Sequence, residues 1–380
     1  PELLDSLVRA DLVQIVRGRG SMAEELGARL AAAPDLEAEL DTLRRFRHEE
    51  FLRIGVHDIQ GKLEPHEVAS QLTSLAETCL ASALALARRE VLARTGVPPA
   101  PPTEGLAVLG MGKLGAEELT YNSDLDLIFV YDAGDAAWWS GRPTPHEFFT
   151  RIAQRTISAL QTPTREGLAY RIDMRLRPSG NQGSLVCSVE AFEAYHRTSA
   201  QVWERQALIK ARAVAGPRPL AARLEEIRTR FVYGRGLDDG ERLEIARMRE
   251  RIERERAGAR GELGNIKTGR GGLVDIEFLV QTLQLRHGHD HPGVRARDTR
   301  GALAALAAEG ILSASPAKRS TRSPGRSCRS LAGSGTRAAT ARRWPRSWTT
   351  MRGSARRCAP STIVGSERPP RSLRCARASG

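Results

Sequence analysis

Two aspartates stand at the head of an apolar segment, in the run Asp-Leu-Asp-Leu-Ile-Phe-Val-Tyr that begins at Asp124. The apolar residues predict a buried strand, and Asp124 and Asp126 then share one face of it, roughly 6.6 Å apart. Two carboxylates at that spacing repel each other, so stability does not explain them. Mg²⁺ removes the repulsion, because it prefers carboxylate oxygen ligands and a pair of such ions promotes in-line displacement at phosphorus. The run therefore predicts a strand whose head binds Mg²⁺.

A glycine-rich turn precedes this acidic strand. Residues 106–109 form a short apolar run, which predicts a buried strand leading into Gly110 and Gly112. Glycines at such a turn let the backbone approach a phosphate closely, and they also suit a plain tight turn. One turn of helix is expected at 116–119, before the chain returns to the acidic strand.

A third acid is expected on the next strand-like segment. Residues 168–177 alternate between apolar and polar side chains, which predicts one strand with a core face and a polar face. The polar face carries Asp173 among the arginines Arg171, Arg175 and Arg177. Because guanidinium groups bind phosphate oxygens through a bidentate fork, this face suits a metal ion beside a polyphosphate. An exposed face with solvated arginines and an Asp ion pair is the alternative.

Four separated blocks of the chain together resemble a known family. They are residues 110–132, 170–183 (YRIDMRLRPSGNQG), 202–212 (VWERQALIKAR) and 265–281 (NIKTGRGGLVDIEFLVQ). In this order they look like glutamate-ammonia-ligase adenylyltransferase, the bifunctional regulator of glutamine synthetase. That family carries two nucleotidyltransferase halves, of which one attaches AMP and the other removes it, and this chain contains one such half.

The resemblance is divided between the two halves. The motifs at 177–180 and 203–208 and the lead-in at 43–63 look more like the carboxyl-terminal, AMP-attaching half, whereas those at 110–112 and 172–174 are similar to the removing half. The resemblance implies an α+β fold. In it, a DNA polymerase β-type nucleotidyltransferase core, which is a small mixed sheet with helices, is flanked by helical domains.

The resemblance also implies roles for individual residues. Asp124, Asp126 and Asp173 would be catalytic and would hold Mg²⁺, with Asp173 as a candidate base for the attacking hydroxyl. AMP would pass from ATP to a tyrosine hydroxyl of glutamine synthetase, which regulates nitrogen assimilation; the alternative is phosphorolytic removal of AMP by the same site. A PII-type signalling protein is a further candidate partner. The implied nucleotide-binding residues are Gly112, Lys113, Gly115, Ser123, Arg175, Arg177, Lys210 and Lys267.

Lys267 belongs to a basic glycine loop at 266–272 that leads into a predicted helix at 273–286. Asp275 and Glu277 in the first turn of that helix suit its dipole, so a plain loop with a helix cap is the alternative. By resemblance the loop faces the nucleotide cleft, where Lys267 would reach phosphate.

The positive charge of the chain is concentrated at its carboxyl end. The formal net charge is +13, but residues 314–380 hold 16 Lys and Arg against a single acid, so the preceding part is close to neutral. This tail is rich in Arg, Ser and Pro without apolar periodicity, which predicts disorder. Because the resemblance stops here, a frameshifted translation of GC-rich DNA is the favoured explanation. A nucleic-acid-binding arm on a non-enzymatic protein is the alternative.

Composition divides the chain into five parts. Residues 1–96 are predicted to be helical, 97–104 to be a proline-rich linker, 105–216 to be the catalytic domain, 217–313 to be helical and 314–380 to be the tail. The sequence has no run of about 18 apolar residues, which argues for a cytoplasmic protein rather than one in a membrane.

Overall fold

The computed structural model describes residues 14–96, 105–134, 143–256, 267–269 and 271–312. The predicted linker and tail lie outside the described residues, and the domain boundaries stay predictions. None of the helices described is both long and apolar enough to cross a membrane.

Three helices precede the sheet, namely α1 (Arg19–Ala31), α2 (Leu36–Ile59) and α3 (Pro65–Thr95). The side chain of Asp35 starts α2 by accepting a hydrogen bond from the backbone N–H of Ala38. Gly96 ends α3 in the left-handed conformation that helix ends favour. The apolar stripe of α3 packs on the other two helices and on one face of the sheet, so these helices share a core with the strands.

A five-stranded mixed sheet follows. Its strands are β1 (Gly105–Gly110), β2 (Leu125–Asp132), β3 (Ile172–Asp173), β4 (Val186–Ser188) and β5 (Arg212–Ala215). β1 pairs antiparallel with both β2 and β5, while β3 and β4 pair in parallel with the first and last parts of β2. Neighbouring strands on both edges therefore fix the position of β2.

Helices cover both faces of this sheet. They are α4 (Gly112–Gly115), α5 (Pro145–Gln161), α6 (Val189–Thr198), α7 (Val202–Ala207) and α8 (Arg218–Tyr233). Leu127 and Phe129 of β2 enter the core shared with α3 and α5, whereas Ile128 and Val130 enter the core shared with α6 and α8. A strand buried on both faces reads as a continuous apolar run, which is what the sequence of β2 shows.

Three further helices complete the described chain: α9 (Asp239–Arg256), α10 (Leu273–His287) and α11 (Thr299–Ala308). Val280, Leu303 and Leu306 belong to a small core that α10 and α11 share. α9 joins them through Arg249, whose Nε donates to Asp275 Oδ1 at 2.5 Å.

The strand predicted over residues 168–177 is wrong in its extent, because β3 contains only Ile172–Asp173. Side-chain hydrogen bonding explains the early end of the strand. Asp173 Oδ1 accepts from the backbone N–H of Arg175 at 2.9 Å, which bends the chain away from the sheet, and a further turn follows at Arg177.

The helical turn beside the glycines begins earlier than the sequence predicted. α4 occupies Gly112–Gly115 rather than 116–119, and Glu117, two residues after its end, adopts a left-handed φ of 59°. The backbone N–H of Met111 still donates to the carbonyl of Asp126 at 2.9 Å. The sheet therefore continues up to the first residue of α4, which brings Gly112 beside Asp126.

Candidate active site

The three aspartates that the sequence singled out come from two neighbouring strands. Asp126 of β2 is the register partner of Asp173 of β3, and Asp124 lies one residue before β2. Register partners in a sheet project to the same face, so the carboxyls of Asp126 and Asp173 are neighbours. The site lies where β1 ends and α4 begins.

The carboxyl of Asp126 is in an unfavourable electrostatic environment. Its pKa is raised from 3.8 to about 6, first by burial and then by the charge of Asp173, with a smaller contribution from Asp124. The positive charges of Arg175 and Lys113 act in the opposite direction. The three acids therefore repel one another, and a cation among them would relieve that repulsion.

The negative charge of Asp173 is compensated by an ion pair with Arg175. The Arg175 Nε donates to Asp173 Oδ2 at 2.8 Å and to Oδ1 at 3.0 Å, and this side-chain hydrogen bonding lowers the pKa of Asp173. The Arg175 side chain remains 73% exposed. The guanidinium can therefore move without disturbing the core.

The residues present fit Mg²⁺, because carboxylate oxygens are the ligands that this ion prefers. Gly112 leaves space beside them, since a Cβ at that position would lie 2.8 Å from Asp126 Oδ2. Within the described ranges, no three His, Cys, Asp or Glu side chains are already gathered into a metal-binding group. Asp173 would have to exchange Arg175 for the ion to join the other two acids.

Two glycines make the turn at α4 possible. Gly112 has a φ of +51°, a conformation that side chains with a Cβ rarely adopt. At Gly115 a Cβ would lie 1.9 Å from the carbonyl oxygen of Lys210 and 2.4 Å from that of Gly110. α4 therefore packs directly on the backbone of residues 208–210, a 3₁₀ turn immediately before β5.

Lys113 and Ser123 are brought together on either side of Thr120. Ser123 Oγ accepts from the Thr120 backbone N–H at 3.0 Å, and the Lys113 Nζ donates to Thr120 Oγ1 at 3.4 Å. Burial lowers the pKa of Lys113, and the positive charges of Lys267 and Lys210 lower it further. Lys113 and Lys267 therefore act on each other within a group of charges that also includes Glu277 and Glu118, which act to raise the pKa of Lys113.

Arg177, another predicted nucleotide contact, holds the loop that follows β3. Its Nη1 donates to the carbonyl of Met174 at 2.7 Å, and its Nε donates to that of Gly183 at 3.2 Å. These bonds stabilise the loop after Asp173.

Lys210 is buried, with 6% of its surface exposed. Its Nζ donates to Glu118 Oε2 at 2.7 Å, to Glu277 Oε1 at 3.1 Å and to Thr299 Oγ1 at 3.3 Å. Burial disfavours the charged ammonium, but the two glutamates outweigh burial and raise the pKa of Lys210.

Several residues of this region escaped the sequence analysis. Arg212 was not singled out, yet its Nε donates to the carbonyl of Gly115 at 3.1 Å and its guanidinium also contacts Glu77 of α3. Glu118 and Thr299 carried no motif, and Glu277 suggested only a helix cap. Their contacts join residues far apart in sequence, so no local pattern could reveal them.

A small mixed sheet, flanked by helices and bearing carboxylates at the start of a central strand beside a glycine turn, is an α+β fold of the nucleotidyltransferase type. A family model described as glutamate-ammonia ligase adenylyltransferase matches residues 1–227. The chain belongs to that family, as the resemblance in its sequence indicated. A second model, described as GlnD PII-uridylyltransferase, matches residues 244–325.

Three curated relatives share the name bifunctional glutamine synthetase adenylyltransferase/adenylyl-removing enzyme. The relative from Burkholderia mallei is 41% identical over 302 residues, which cover 76% of this chain and 33% of the relative. Those from Pseudomonas putida and Hahella chejuensis are each 39% identical, covering 77% and 82% of this chain and 32% and 33% of the relatives. The chain therefore spans about a third of the length of these relatives.

Proposed function

We propose that this chain is a Mg²⁺-dependent nucleotidyltransferase that transfers AMP from ATP to a tyrosine hydroxyl of glutamine synthetase. The observation that carries the proposal is the register pairing of Asp126 with Asp173 beside Gly112. The charge repulsion at Asp126 and the name of the relatives support it. Transfer of this kind attaches AMP to the synthetase and so regulates nitrogen assimilation.

The proposed roles follow from where each residue lies. Asp124, Asp126 and Asp173 would hold Mg²⁺, which would supply positive charge for the phosphoryl oxygens. Asp173 also accepts the proton of the attacking hydroxyl. A bond forms between the tyrosine oxygen and the α-phosphorus as the bond from that phosphorus to the bridging oxygen breaks, and pyrophosphate leaves.

The remaining residues of the site serve the triphosphate. Backbone at Gly112 allows its close approach, Gly115 lets α4 pack on residues 208–210, and Lys113 with Lys267 supplies positive charge. Arg175, once released from Asp173, can neutralise the departing pyrophosphate. The further residues assigned to this group are Ser123, close to Lys113, Arg177, which orders the loop after β3, and Lys210, which is linked to α4.

Removal of AMP is the second candidate function, because the relatives' name includes it and the motifs at 110–112 and 172–174 are similar to the removing half. In this direction inorganic phosphate attacks the α-phosphorus of the AMP-tyrosine ester. ADP is released, and the tyrosine oxygen takes up a proton.

The metal site is tested by replacing Asp124 and Asp126 together with Asn and measuring labelled AMP transfer from ATP to glutamine synthetase. We expect a loss of about a thousandfold or more, because the two carboxylates at the start of β2 lose their charge. Asp132→Asn is the matched control, since Asp132 lies at the other end of β2 and pairs with Arg223. Undiminished transfer by the double variant would contradict the metal assignment.

The direction of the reaction is tested with two substrates. Unmodified synthetase with ATP should yield labelled synthetase and pyrophosphate if the chain attaches AMP. Adenylylated synthetase with phosphate should yield ADP if it removes AMP. Activity in the second assay alone would show that the chain removes AMP and does not attach it.

We propose a PII-type signalling protein as a regulatory partner, supported by the match of residues 244–325 to the PII-uridylyltransferase model. Titrating purified PII protein into the transfer assay should change the rate. A rate that is unchanged at saturating PII protein would contradict this partner.

A further inference from the structure

A group of four side chains joins the sheet to the carboxyl-terminal helices, and we name it the Lys210 cluster. It consists of Lys210, Glu118, Glu277 and Thr299. Glu118 accepts from Lys210 Nζ through Oε2 at 2.7 Å and from the backbone N–H of Thr299 through Oε1 at 2.7 Å. Glu277 in the first turns of α10 and Thr299 at the start of α11 complete the cluster.

The cluster lies at the junction of two sequence modules. Lys210 and Glu118 fall within residues 1–227, which match the adenylyltransferase model, whereas Glu277 and Thr299 fall within residues 244–325, which match the second model. A nearby contact crosses the same junction, since Gln206 Nε2 donates to Gln281 Oε1 at 2.7 Å. The four side chains therefore add polar links between two segments that also share an apolar core, which contains Leu285 of α10 and Leu224 of α8.

The cluster is also attached rigidly to the nucleotide turn. Gly115 of α4 packs on the carbonyl oxygen of Lys210 so closely that a Cβ would overlap it. The backbone N–H of Glu118 donates to the carbonyl of Lys113 at 2.8 Å. A shift of Lys210 or Glu118 would therefore move Lys113, the residue proposed to contact the triphosphate.

We propose that the Lys210 cluster couples the first turns of α10 and α11 to α4, and that the position of these helices thereby sets the affinity of the site for ATP. Lys210 is then a positioning residue that acts through α4. This inference rests on the proposed function, because it takes ATP as the ligand beside Lys113. It assigns the carboxyl-terminal helices a regulatory role in nucleotide binding.

The first test uses a variant that breaks the cluster without changing the net charge. Lys210→Met with Glu277→Gln removes one positive and one negative charge, and the remaining Glu118 keeps its hydrogen bond from the backbone N–H of Thr299. Arg230→Met with Glu193→Gln is the control, because it removes a charge pair of the same signs, with an Nη1 to Oε1 distance of 2.7 Å, between α6 and α8. ATP affinity is measured calorimetrically with Mg²⁺, and transfer is measured separately.

We expect the cluster variant to bind ATP at least about fivefold more weakly, with KM raised accordingly and kcat changed less than about twofold. The control should bind ATP as the unchanged chain does. Hydrogen exchange provides a second readout, since ATP should protect backbone amides at 273–277 and 299–303 in the unchanged chain but not in the variant.

Thr299→Val separates positioning from direct phosphate contact, because it leaves every charge in place and only removes an acceptor from Lys210. A positioning role predicts weaker ATP binding by this variant. A direct role for Lys210 predicts equal or tighter binding, since the ammonium is partly released towards phosphate, and that result would overturn the inference.

The outcomes distinguish a failure of the coupling from a failure of the proposed function. If the unchanged chain binds and transfers nucleotide while the cluster variant binds it equally well, the coupling is refuted and the proposed function stands. If the unchanged chain binds no ATP, both are refuted. Persistent ATP-induced protection of α10 and α11 in the cluster variant also overturns the coupling.

Discussion

Buried charge is handled in opposite ways in two regions of this molecule. Among the amino-terminal helices, Arg53 donates to Glu50 at 3.0 Å and to Gln71 at 2.9 Å, and Arg17 donates to the same Glu50 at 2.5 Å. At the start of β2, Asp126 faces the like charges of Asp173 and Asp124. The helices use charge to hold a structure together, whereas the acidic end of β2 carries repulsion that folding does not relieve.

The contrast teaches where a ligand is to be expected. Buried charges with matched partners are a common feature of stable cores, and they need no external ion. Like charges gathered in a partly buried place lower stability, and a functional site is the usual reason for keeping them. The comparison therefore favours the start of β2, rather than the charge-rich helices, as the place of chemistry.

The largest expected effect lies in the helical region. Arg44 is fully buried and donates to the carbonyls of Gly167 at 2.9 Å, Leu40 at 2.7 Å, Ala159 at 3.0 Å and Thr162 at 2.6 Å. Arg44→Met should lower the free energy of unfolding by about 3 to 5 kcal/mol, because four carbonyls, among them the buried carbonyl of Ala159, lose their donor. Chemical denaturation measures the change, and a loss below about 1 kcal/mol would contradict the comparison.

The acidic site should respond in the opposite sense. In the absence of Mg²⁺, Asp126→Asn should raise the free energy of unfolding at pH 7.5 by about 1 to 3 kcal/mol, since it removes a carboxylate whose charged form is disfavoured.

The pH dependence of this gain follows from the pKa of Asp126, which is about 6 in the folded chain and 3.8 as the ordinary value. Between these values the folded state binds more protons than the unfolded state, so the stability of the unchanged chain falls as pH rises through this window. The gain from Asp126→Asn should therefore shrink as the pH is lowered from 7 towards 4. Thermal unfolding at several pH values measures it, and a gain independent of pH would refute the assigned cause.

Gly112→Ala tests the close approach at the nucleotide turn. Gly61 is the matched control, because it also has a positive φ, 69°, but a Cβ there would meet nothing within 4 Å. Both changes should cost about 1 kcal/mol from backbone conformation. Only Gly112→Ala should also reduce AMP transfer, by about tenfold or more, because its Cβ would press on Asp126. Equal AMP transfer by the two variants would show that the close approach of residue 112 to Asp126 is not needed for transfer.

The smallest effect is expected for an ion pair of the helical region whose cation is exposed. Arg89 on α3 pairs with Glu39; the Arg89 side chain is 62% exposed and that of Glu39 is 8% exposed. Arg89→Gln should lower the free energy of unfolding by about 1 kcal/mol or less, because solvent screens the arginine and the Gln amide can still donate to the Glu39 carboxylate. Denaturation measures this change beside that of Arg44→Met. A larger loss of stability would show that burial of the arginine does not determine how much a charged side chain contributes.

The strands that are buried on both faces could be predicted from the sequence. β1 and β2 appear as apolar runs whose ends fall within a residue or two of those predicted, because burial on two faces leaves a continuous signal. The alternation at 168–177 is that of a strand, but the hydrogen bond from the backbone N–H of Arg175 to Asp173 ends β3 early. A side chain that accepts a hydrogen bond from the backbone, and so ends a strand, leaves no periodic pattern in the sequence.

The candidate site also contains residues that the sequence predicts and residues that it does not. The aspartates and glycines could be selected because their chemistry is unusual at the head of a strand. The partners of Lys210 could not, since Glu118, Glu277 and Thr299 lie 92, 67 and 89 residues away along the chain. Only the folded arrangement of α10 and α11 beside residues 118 and 210 brings these four side chains together.

The brevity of β3 has a mechanical consequence. Asp126 belongs to a strand with partners on both edges, whereas Asp173 is carried by a two-residue strand followed at once by a loop. Few main-chain bonds therefore hold Asp173, and its carboxylate can shift relative to that of Asp126 while β2 keeps its place in the sheet.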